Sequence, residues 1–201
     1  MCIPATIDND LGCTDYTIGF ETAVETAVDL ADKVRDTTTS HDRCSIVEVM
    51  GRKCGDLALY TAIAVGAFAV LVPEIPYDLQ KDIIEPMLRA KEAGRSHYII
   101  IVAEGVGKSG ELAKTIEKET GFSTRAAILG HVQRGGTPIC RDRVVGALMG
   151  AKAVELIKNE AQNRVVSFLN GNIVDHNINE ALAMTRVFSQ DLYDIATRIS
   201  K

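Results

Sequence analysis

Two carboxylates stand one residue apart near the start of the sequence, in the stretch P-A-T-I-D-N-D from Pro4 to Asp10. If this stretch is extended, alternation of side chains puts Thr6, Asp8 and Asp10 on one face, with Ile7 facing a core. Such a row of oxygen acceptors suits a site that takes a proton from a hydroxyl group beside a second negative charge. Asp and Asn are also frequent in turns, so the stretch alone leaves a solvated turn as an equal alternative.

Composition excludes several classes of function. The chain has 201 residues, 46% of them hydrophobic, and a formal net charge of -5, so no overall basic field points to nucleic acid or to an anionic membrane. No apolar run approaches the roughly 18 to 20 residues that span a bilayer, and no basic segment followed by an apolar one opens the sequence. We therefore expect a cytoplasmic protein with one or two domains, whose function lies in local sites.

The five cysteines are scattered and form no C-x-x-C pair. This pattern argues against a disulfide framework or a structural zinc site, and it predicts reduced thiols in or near cores.

Hydrophobic periodicity predicts an alternation of helices and strands. The predicted strands are 44–49, 68–72, 97–103, 125–129 and 165–169, after an opening strand that leads into Asp8. The predicted helices run from a cap at Thr14 or Asp15 to Arg35, then over 56–65, 79–93 and 110–120, with one more after the loop 131–138 and two further helical segments behind 165–169. This order predicts an α/β fold with mostly parallel sheets and helices on both faces.

Ligands of parallel sheets lie beyond the carboxyl ends of the strands, and here four predicted strand ends carry polar, charged or glycine residues. These residues are Asp8 and Asp10; Met50, Gly51 and Arg52; Glu104; and Gly130, His131 and Arg134. Their clustering favours a site over the turn alternative.

A second glycine-rich stretch, Gly105 to Gly110, matches G-x-G-x-x-G after a strand and before a helix. The following strand ends without the acidic residue that would hold a ribose, and Val102 stands where a phosphate-binding loop would have its first glycine. We interpret this stretch as a flexible turn and not as a nucleotide site.

Three segments together resemble the signature segments of the 6-phosphofructokinases. They are P-x-T-I-D-N-D at Pro4 to Asp10, V-M-G-R at Val49 to Arg52, and L-G-H-V-Q-R-G-G at Leu129 to Gly136. Their order and spacing match, and the chain between them is similar to the bacterial, ATP-dependent branch over essentially its whole length. The resemblance implies a phosphofructokinase-like fold and transfer of a phosphoryl group from MgATP to the 1-hydroxyl of fructose 6-phosphate, giving fructose 1,6-bisphosphate in glycolysis.

The resemblance also implies a further N-terminal stretch, with a glycine-rich G-G-D-G-S segment for the ATP phosphates and an aspartate for magnesium. The sequence contains no such segment, so we expect Mg²⁺ and ATP to be held mainly elsewhere, and no metal ligands here. By the same resemblance, residues 1–19 and 133–182 belong to a large, ATP-side domain whose N-terminal part is missing. Residues 20–132 then form a small sugar-phosphate and effector domain, on which a helical segment, 183–201, packs.

The resemblance assigns a role to each strand-end residue. Asp8 would be the general base for the 1-hydroxyl, and Thr6 and Arg52 would stabilise the transferring group. Four further residues would shape the sugar pocket: Asp10, Met50, Gly51 and Glu104.

The 6-phosphate would be bound by Arg43, Arg125, His131 and Arg134, since guanidinium groups bind phosphate oxygens in pairs. In the family, the residues that correspond to Arg43 and Arg125 reach in from a neighbouring subunit. The resemblance therefore implies a homo-oligomer, usually a tetramer, or a complementary N-terminal chain as partner.

Departures from the family pattern carry information as well. Ala5 stands where pyrophosphate-dependent relatives typically carry lysine, which favours ATP as the donor. Arg35 and Arg95 fit the basic pattern of an allosteric effector site, but Phe68 stands where well-regulated members have an acidic residue. This departure argues against control by a magnesium-bound nucleotide.

Two functions of different class follow from these observations. One is an ATP-dependent 6-phosphofructokinase, and the other is a sugar-phosphate-binding or assembly module that lacks turnover by itself. In both cases we expect uncovered apolar surface around Met1 to Thr14 and on the helix within 141–158.

Overall fold

A four-stranded parallel sheet forms the centre of the computed structural model, which describes residues 1–199. The strand order is β2-β3-β1-β4, and the strands are β1 (Cys44–Val49), β2 (Ala69–Leu71), β3 (Tyr98–Ala103) and β4 (Thr124–Ile128). The two central strands, β1 and β3, are nearly continuous apolar runs, as expected of strands that are covered on both faces. They pair in parallel, with Ile46 opposite Ile100.

Helices cover both faces of this sheet. The bounds are α1 (Phe20–Thr39), α2 (Asp56–Val65), α3 (Glu85–Glu92), α4 (Ser109–Thr120), α5 (Cys140–Lys158), α6 (Ile178–Ala183) and α7 (Gln190–Ile199). One core contains side chains of α1, α2 and α7 with one face of β1 and β3, and a second contains those of α3 and α4 with the other face. The predicted α/β fold with a parallel sheet and helices on both faces is therefore confirmed.

A second, smaller sheet consists of the antiparallel pair β5 (Arg164–Leu169) and β6 (Asn172–Asn177). The sequence prediction gave a strand at 165–169 but missed β6. The missed signal was the pair Asn170-Gly171, which adopts positive φ angles of 50° and 79°. Both angles are required of the two-residue turn that joins such hairpins, and Asn-Gly is the pair that provides them most readily.

The prediction of an opening strand is wrong. Residues 1–12 contain only an isolated bridge between Cys2 and Val165, and Asp8 lies in a turn. Thr6 and Asp8 are joined within this turn, because the Asp8 backbone N–H donates to the Thr6 hydroxyl at 3.2 Å. The turn alternative was therefore right about conformation.

Helix α1 begins later than the predicted cap at Thr14 or Asp15. The Thr14 hydroxyl is used elsewhere, donating to the carbonyl of Tyr16 and accepting the N–H of Phe168. The residue before the helix is Gly19, whose N–H donates at 2.7 Å to the carboxylate of Asp142 in α5. The side chain that caps α1 belongs to α5, 123 residues away, so no residue near Gly19 predicts this helix start.

Two other helical boundaries differ from prediction. Helix α1 continues past Arg35 to Thr39, where the Thr38 hydroxyl donates back to the carbonyl of Val34. The segment predicted as one helix over 79–93 is a π-helical turn, Leu79–Ile84, followed by α3. Pro86 lies in the first turn of α3, where its missing N–H costs no helical hydrogen bond.

The predicted domain division stays a prediction. All four strands of the parallel sheet fall within the proposed small domain, and α7 packs on this sheet through Leu192, Tyr193 and Ala196. The last two residues of the 183–201 range lie outside the described part of the chain. Within residues 1–199, no helix has both the length and the apolar character needed to cross a membrane.

Candidate active site

The turn that carries Asp8 is fixed by its neighbours. Asp8 is 5% exposed and Asn9 is 2% exposed, although both are polar. Asn9 has a left-handed φ of 50°, a conformation that asparagine tolerates better than most residues. The Thr17 hydroxyl donates to the carbonyl of Thr6 at 2.6 Å and to the Asn9 side-chain oxygen at 3.2 Å. The carboxylate of Asp8 is thereby held at one position.

A second tight turn, after β1, carries Arg52. Gly51 has a φ of 126°, and a Cβ atom there would lie 2.4 Å from the carbonyl oxygen of Cys54, so only glycine fits. Gly105 approaches as closely from the end of β3, because a Cβ on it would lie 2.2 Å from the Arg52 carbonyl oxygen. The Arg52 N–H donates to the Glu104 carboxylate at 2.9 Å. The glycine at position 105 therefore has a packing role in the Arg52 turn.

The two turns meet in an ion pair. Arg52 Nε lies 3.1 Å from Asp8 Oδ2, and the Arg52 side chain is 69% exposed, so it can leave Asp8 when another anion enters. Burial raises the pKa of the Asp8 carboxyl above its ordinary value, as do the charges of Asp10 and Glu104, against the lowering effect of Arg52 and Arg134. A carboxylate with a raised pKa is a stronger base than an ordinary aspartate.

The ion pair faces a cavity of about 870 Å³. One wall contains predicted site residues, namely Thr6, Asp8, Asp10, Arg52 and Arg134. Apolar lining comes from β5, α6 and the chain beside them, through Val165, Ile178, Ala181, Leu182 and Met184. The structure thus brings together Asp8, Arg52 and Arg134, which come from three separate parts of the sequence. The sequence analysis had grouped the same residues because each follows a predicted strand.

Three residues that were predicted to shape the sugar pocket do not line this cavity, namely Met50, Gly51 and Glu104. Met50 and Gly51 are buried at the end of β1, and Glu104 contacts the Arg52 turn. His131 and Arg134 are exposed within a short 3₁₀ turn, Gly130–Arg134, that follows β4. Arg134 lines the cavity, whereas His131 is not among its lining residues.

Gln133 anchors this 3₁₀ turn and was missed by the sequence analysis. It is 1% exposed, and its side-chain oxygen accepts the N–H of Met50 at 2.8 Å. This bond joins the Arg134 turn to the residue that precedes the Arg52 turn. The only sequence signal was the position of Gln133 between His131 and Arg134 in the third motif.

Arg43 and Arg125 lie at the other end of the sheet. Arg43 directly precedes β1, and Arg125 is the second residue of β4, opposite Ser45. Strand β1 has six residues and is about 20 Å long, and Asp8 and Arg52 lie beyond its opposite end. Neither arginine lines the Asp8 cavity.

The two predicted effector arginines also lie apart from the Asp8 cavity. Arg35 is near the end of α1, 4.0 Å from Asp32. The guanidinium of Arg95 stacks on the ring of Phe68, 5.0 Å from its centre, beside a second cavity of about 790 Å³. Phe68, which the sequence analysis noted as a departure from the family pattern, therefore contacts Arg95 by cation–π attraction.

The described residues offer no ready metal site. In residues 1–199, no group of three or more His, Cys, Asp or Glu side chains is arranged to hold a metal ion. Mg²⁺ in phosphoryl-transfer sites uses one or two carboxylates besides phosphate oxygens. Asp8 and Asp10 both line the cavity, so a carboxylate there could hold the ion only together with the phosphates of a bound nucleotide and not as a complete site.

A buried network behind the Asp8 turn was also missed by the sequence analysis. The Asn9 side-chain amide donates at 2.9 Å to Asp56 Oδ2, and the same oxygen accepts a hydrogen bond from Arg186. Asp56 is the first residue of α2, and Arg186 lies between α6 and α7. Asp56 could have been suspected as an acidic residue at a helix start, but its partners are 47 and 130 residues away.

Comparison with known proteins gives the same family by three routes. The phosphofructokinase family model matches residues 1–157. An ATP-dependent 6-phosphofructokinase of Clostridium botulinum (strain Hall) is 53% identical over 199 residues, which cover 99% of this chain and 62% of that protein. The enzyme of the same name from Clostridium tetani (strain Massachusetts) is 53% identical over 198 residues. The chain thus spans 62% of the length of these curated relatives.

Solved structures agree with the sequence comparison. Phosphofructokinase from Saccharomyces cerevisiae superposes with a TM-score of 0.84 at 33% identity, covering 98% of this chain and 28% of that one. Phosphofructokinase from Pichia pastoris in the T-state superposes with a TM-score of 0.87 at 23% identity, covering 98% of this chain and 27% of that one, which supports the fold alone. Because the family model matches most of the residues and the fold agrees, this chain belongs to the phosphofructokinase family.

Proposed function

We propose that this chain carries the sugar-phosphate side and the general base of an ATP-dependent 6-phosphofructokinase. The observation that carries the proposal is the buried Asp8 carboxylate, paired with Arg52 at 3.1 Å on the wall of the 870 Å³ cavity. The relatives at 53% identity, which are named ATP-dependent 6-phosphofructokinases, support the choice of reaction. The substrates would be fructose 6-phosphate and ATP.

In the proposed reaction, ionised Asp8 takes the proton from the 1-hydroxyl of fructose 6-phosphate as the hydroxyl oxygen attacks the γ-phosphorus of ATP. The bond between the γ-phosphorus and the β,γ-bridging oxygen breaks, and ADP leaves with that electron pair. A positioned carboxylate base contributes about 10²- to 10⁴-fold to such a step. Arg52 then leaves Asp8 and compensates charge on the transferring group, as its exposed side chain permits. The Thr6 hydroxyl accepts the Asp8 N–H and keeps its own proton to donate to a phosphoryl oxygen.

The sugar would lie against the polar wall of the cavity. Asp10 offers acceptors for its hydroxyl groups from this wall. Met50, Gly51 and Glu104, which the family resemblance assigns to the same pocket, would act from behind it by supporting the Arg52 turn. Arg134 would bind the 6-phosphate from the 3₁₀ turn, with His131 beside it. The roles of Asp10 and Arg134 are proposed because both line the same cavity as Thr6, Asp8 and Arg52.

A complete site would need a second chain. Arg43 and Arg125 are separated from the Asp8 cavity by about the length of a strand, so they would serve the 6-phosphate site of a neighbouring copy. We therefore propose a homo-oligomer, a tetramer as the family resemblance implies. Mg²⁺ would enter with ATP. We place the reaction in glycolysis and the protein in the cytoplasm.

The second candidate is a sugar-phosphate-binding or assembly module without turnover of its own. The observation that favours it is the exposed surface of α5, where Val144, Leu148, Val154 and Ile157 are each about half exposed. Apolar surface of this kind is typical of a region that another polypeptide covers. In this case the cavity would bind the sugar phosphate while the partner brought the nucleotide.

Turnover separates the two candidates. The purified chain is incubated with MgATP and fructose 6-phosphate, and formation of the bisphosphate is followed. We expect no turnover from the chain alone, which supports the module. Turnover that is lost in Asp8→Asn would instead support the complete enzyme.

Sugar-phosphate binding tests the pocket that both candidates share. Calorimetry should show that Arg134→Ala weakens fructose 6-phosphate binding about 10- to 150-fold, since a charged hydrogen bond is worth roughly 1.5 to 3 kcal/mol. Lys108→Ala is the matched control, because it removes an exposed cation from the other glycine-rich turn. Equal affinities of wild type and Arg134→Ala would refute the assigned phosphate position.

A further inference from the structure

The segment 184–189, between α6 and α7, passes directly behind the Asp8 turn. Gly12 is in contact with it, since a Cβ atom there would lie 2.5 Å from the carbonyl oxygen of Met184 and 2.7 Å from the nitrogen of Arg186. Phe188, in the same segment, packs on the core that contains α1 and α2. The segment is thus held at both of its ends.

Arg186 connects this segment to the turn through one oxygen atom. Asp56 Oδ2 accepts from the guanidinium of Arg186 and, at 2.9 Å, from the side-chain amide of Asn9. Both donors bind the same oxygen. A displacement of the Arg186 guanidinium would therefore move Asp56 Oδ2, and with it the hydrogen bond that orients the Asn9 side chain. Asn9 is bonded directly to Asp8 along the chain and has a left-handed φ of 50°, so its side-chain anchor keeps the turn in shape.

Charge compensation alone does not explain Arg186. Asp56 is in the first turn of α2, where the N-terminus of the helix already favours a carboxylate. Arg186 instead restricts the position of the Asp56 carboxylate, which is only 3% exposed and has little room to move.

We propose that Arg186 is a positioning residue for Asp8, acting through Asp56 and Asn9, so that the 184–189 segment sets the geometry of the general base. The consequence for catalysis rests on the proposed function of Asp8. The mechanical link itself rests only on the contacts of Gly12, Asn9, Asp56 and Arg186.

The test uses the full chain and four variants. Arg186→Met removes the hydrogen bonds at similar size, and Arg186→Lys keeps a donor to Asp56. Gly12→Ala displaces the segment by overlap with its backbone, without changing any charge. Because Gly12 also lines the Asp8 cavity, the NMR readout decides this variant. Arg164→Met is the matched control, because it removes another partly buried Arg–Asp pair, between Arg164 and Asp175 in the small sheet.

Two readouts respond to the position of Asp8 and not merely to stability. Carbon-13 NMR follows the titration of the Asp8 carboxyl and the resonances of the Asn9 side-chain amide, and calorimetry measures the affinity for fructose 6-phosphate. In Arg186→Met we expect a lower pKa of Asp8, because a loosened turn is less buried, a shifted Asn9 amide, and an affinity reduced about 3- to 30-fold. Gly12→Ala should act in the same direction, and Arg186→Lys should restore part of each effect.

The control should lose stability but leave both readouts at their wild-type values. If Arg186→Met and Gly12→Ala do the same, Arg186 has only a structural role and the proposal fails. If wild type does not bind fructose 6-phosphate at all, the proposed function fails, whereas the NMR titration still decides the role of Arg186. If Arg186→Met does not fold, Arg186→Lys provides the same two readouts and Gly12→Ala provides the NMR readout.

Discussion

At the scale of single residues, Asp8 combines two opposing demands. As the proposed base it must be ionised to act, but burial and the charges of Asp10 and Glu104 disfavour the ionised form of Asp8 and raise its pKa, against Arg52 and Arg134. Folding therefore disfavours the ionised form of Asp8, which the proposed reaction needs. Such conflicts are typical of functional sites, where activity is retained at a cost in stability.

This conflict predicts that Asp8→Asn stabilises the fold. The pKa of Asp8 is higher in the folded than in the unfolded chain, so wild-type stability falls as pH rises from the ordinary aspartate range through the raised pKa. Asparagine has no such charge, so the free energy of unfolding of Asp8→Asn should exceed that of wild type at pH 8 and differ less at pH 4. Urea denaturation at both pH values measures the difference.

The matched control for this experiment is Asp29→Asn, which changes an exposed carboxylate on α1. It should leave the pH dependence of stability as in wild type. A lower free energy of unfolding for Asp8→Asn at pH 8 would show that the ion pair with Arg52 outweighs the burial of the carboxylate.

Some site residues could be found from local motifs, whereas others are identified only by their contacts with distant parts of the chain. Asp10, Arg52 and Arg134 each lie in a motif, so the strand-end rule and the family resemblance could both indicate them. Gln133 and Arg186 act through contacts with residues 83 and 130 positions away, and such contacts depend on tertiary packing. No local pattern records them.

At the scale of elements, the start of α1 depends on a residue of α5. The Asp142 carboxylate accepts hydrogen bonds from the N–H groups of Gly19 and Thr22, and from the hydroxyl groups of Tyr16 and Thr22. Burial alone would raise its pKa, but these donors outweigh burial and hold the pKa below the ordinary value. The carboxylate thus joins α1, α5 and the chain between the Asp8 turn and α1.

We predict that Asp142→Ala lowers the free energy of unfolding by about 3 kcal/mol or more, because it leaves several buried donors without an acceptor. Since the folded pKa of Asp142 is lowered, its contribution is present above the unfolded pKa and is lost as pH falls through the folded one. The deficit of the variant should therefore shrink in acid. Guanidinium denaturation at pH 7 and pH 3 measures it.

Asp191→Ala provides the comparison, since Asp191 is exposed in the first turn of α7. Its effect should be well below that of Asp142→Ala. A deficit of Asp142→Ala that is the same at pH 3 and pH 7 would contradict the lowered pKa.

Regular elements could be predicted from the sequence where their own residues determine them. The apolar runs of β1 and β3 and the amphipathic α4 were predicted to within one residue at each end, as 44–49, 97–103 and 110–120. The opening strand was a wrong prediction because the stretch at Asp8 is held by Thr17 and Asp56, which lie outside it. The hairpin at Asn170-Gly171 could have been found from its turn residues alone.

At the scale of the whole molecule, the proposed oligomer rests on cationic residues at opposite ends of one sheet. Arg134 lies at the cavity, and Arg43 and Arg125 lie about one strand length away. The positions of both sets follow from β1 and β4, so the sheet itself separates them. We regard this separation as the physical basis for the proposed oligomer.

Helix α5 presents a second surface for association. Its inner side, with Val145, Met149 and Leu156, is buried against the small sheet, as the apolar spacing requires. Four other apolar side chains of α5, Val144, Leu148, Val154 and Ile157, are between 50% and 59% exposed. The prediction that apolar side chains of this helix are uncovered is therefore confirmed. Successive residues of an α-helix are about 100° apart, so Val144 and Leu148 lie on the same side and form one exposed strip, whereas Ile157 lies on another side.

We predict that the chain associates through this strip at raised concentration. Covering a half-exposed aliphatic side chain contributes on the order of 1 kcal/mol, so Val144→Gln with Leu148→Gln should weaken association about 30-fold. Light scattering across a concentration series measures the effect, with Ile195→Gln on α7 as a control that removes an exposed apolar side chain from another surface. A wild type that stays monomeric over the series would contradict the prediction and indicate that the strip is tolerated in water. Association that both variants weaken equally would place the contact elsewhere than on α5.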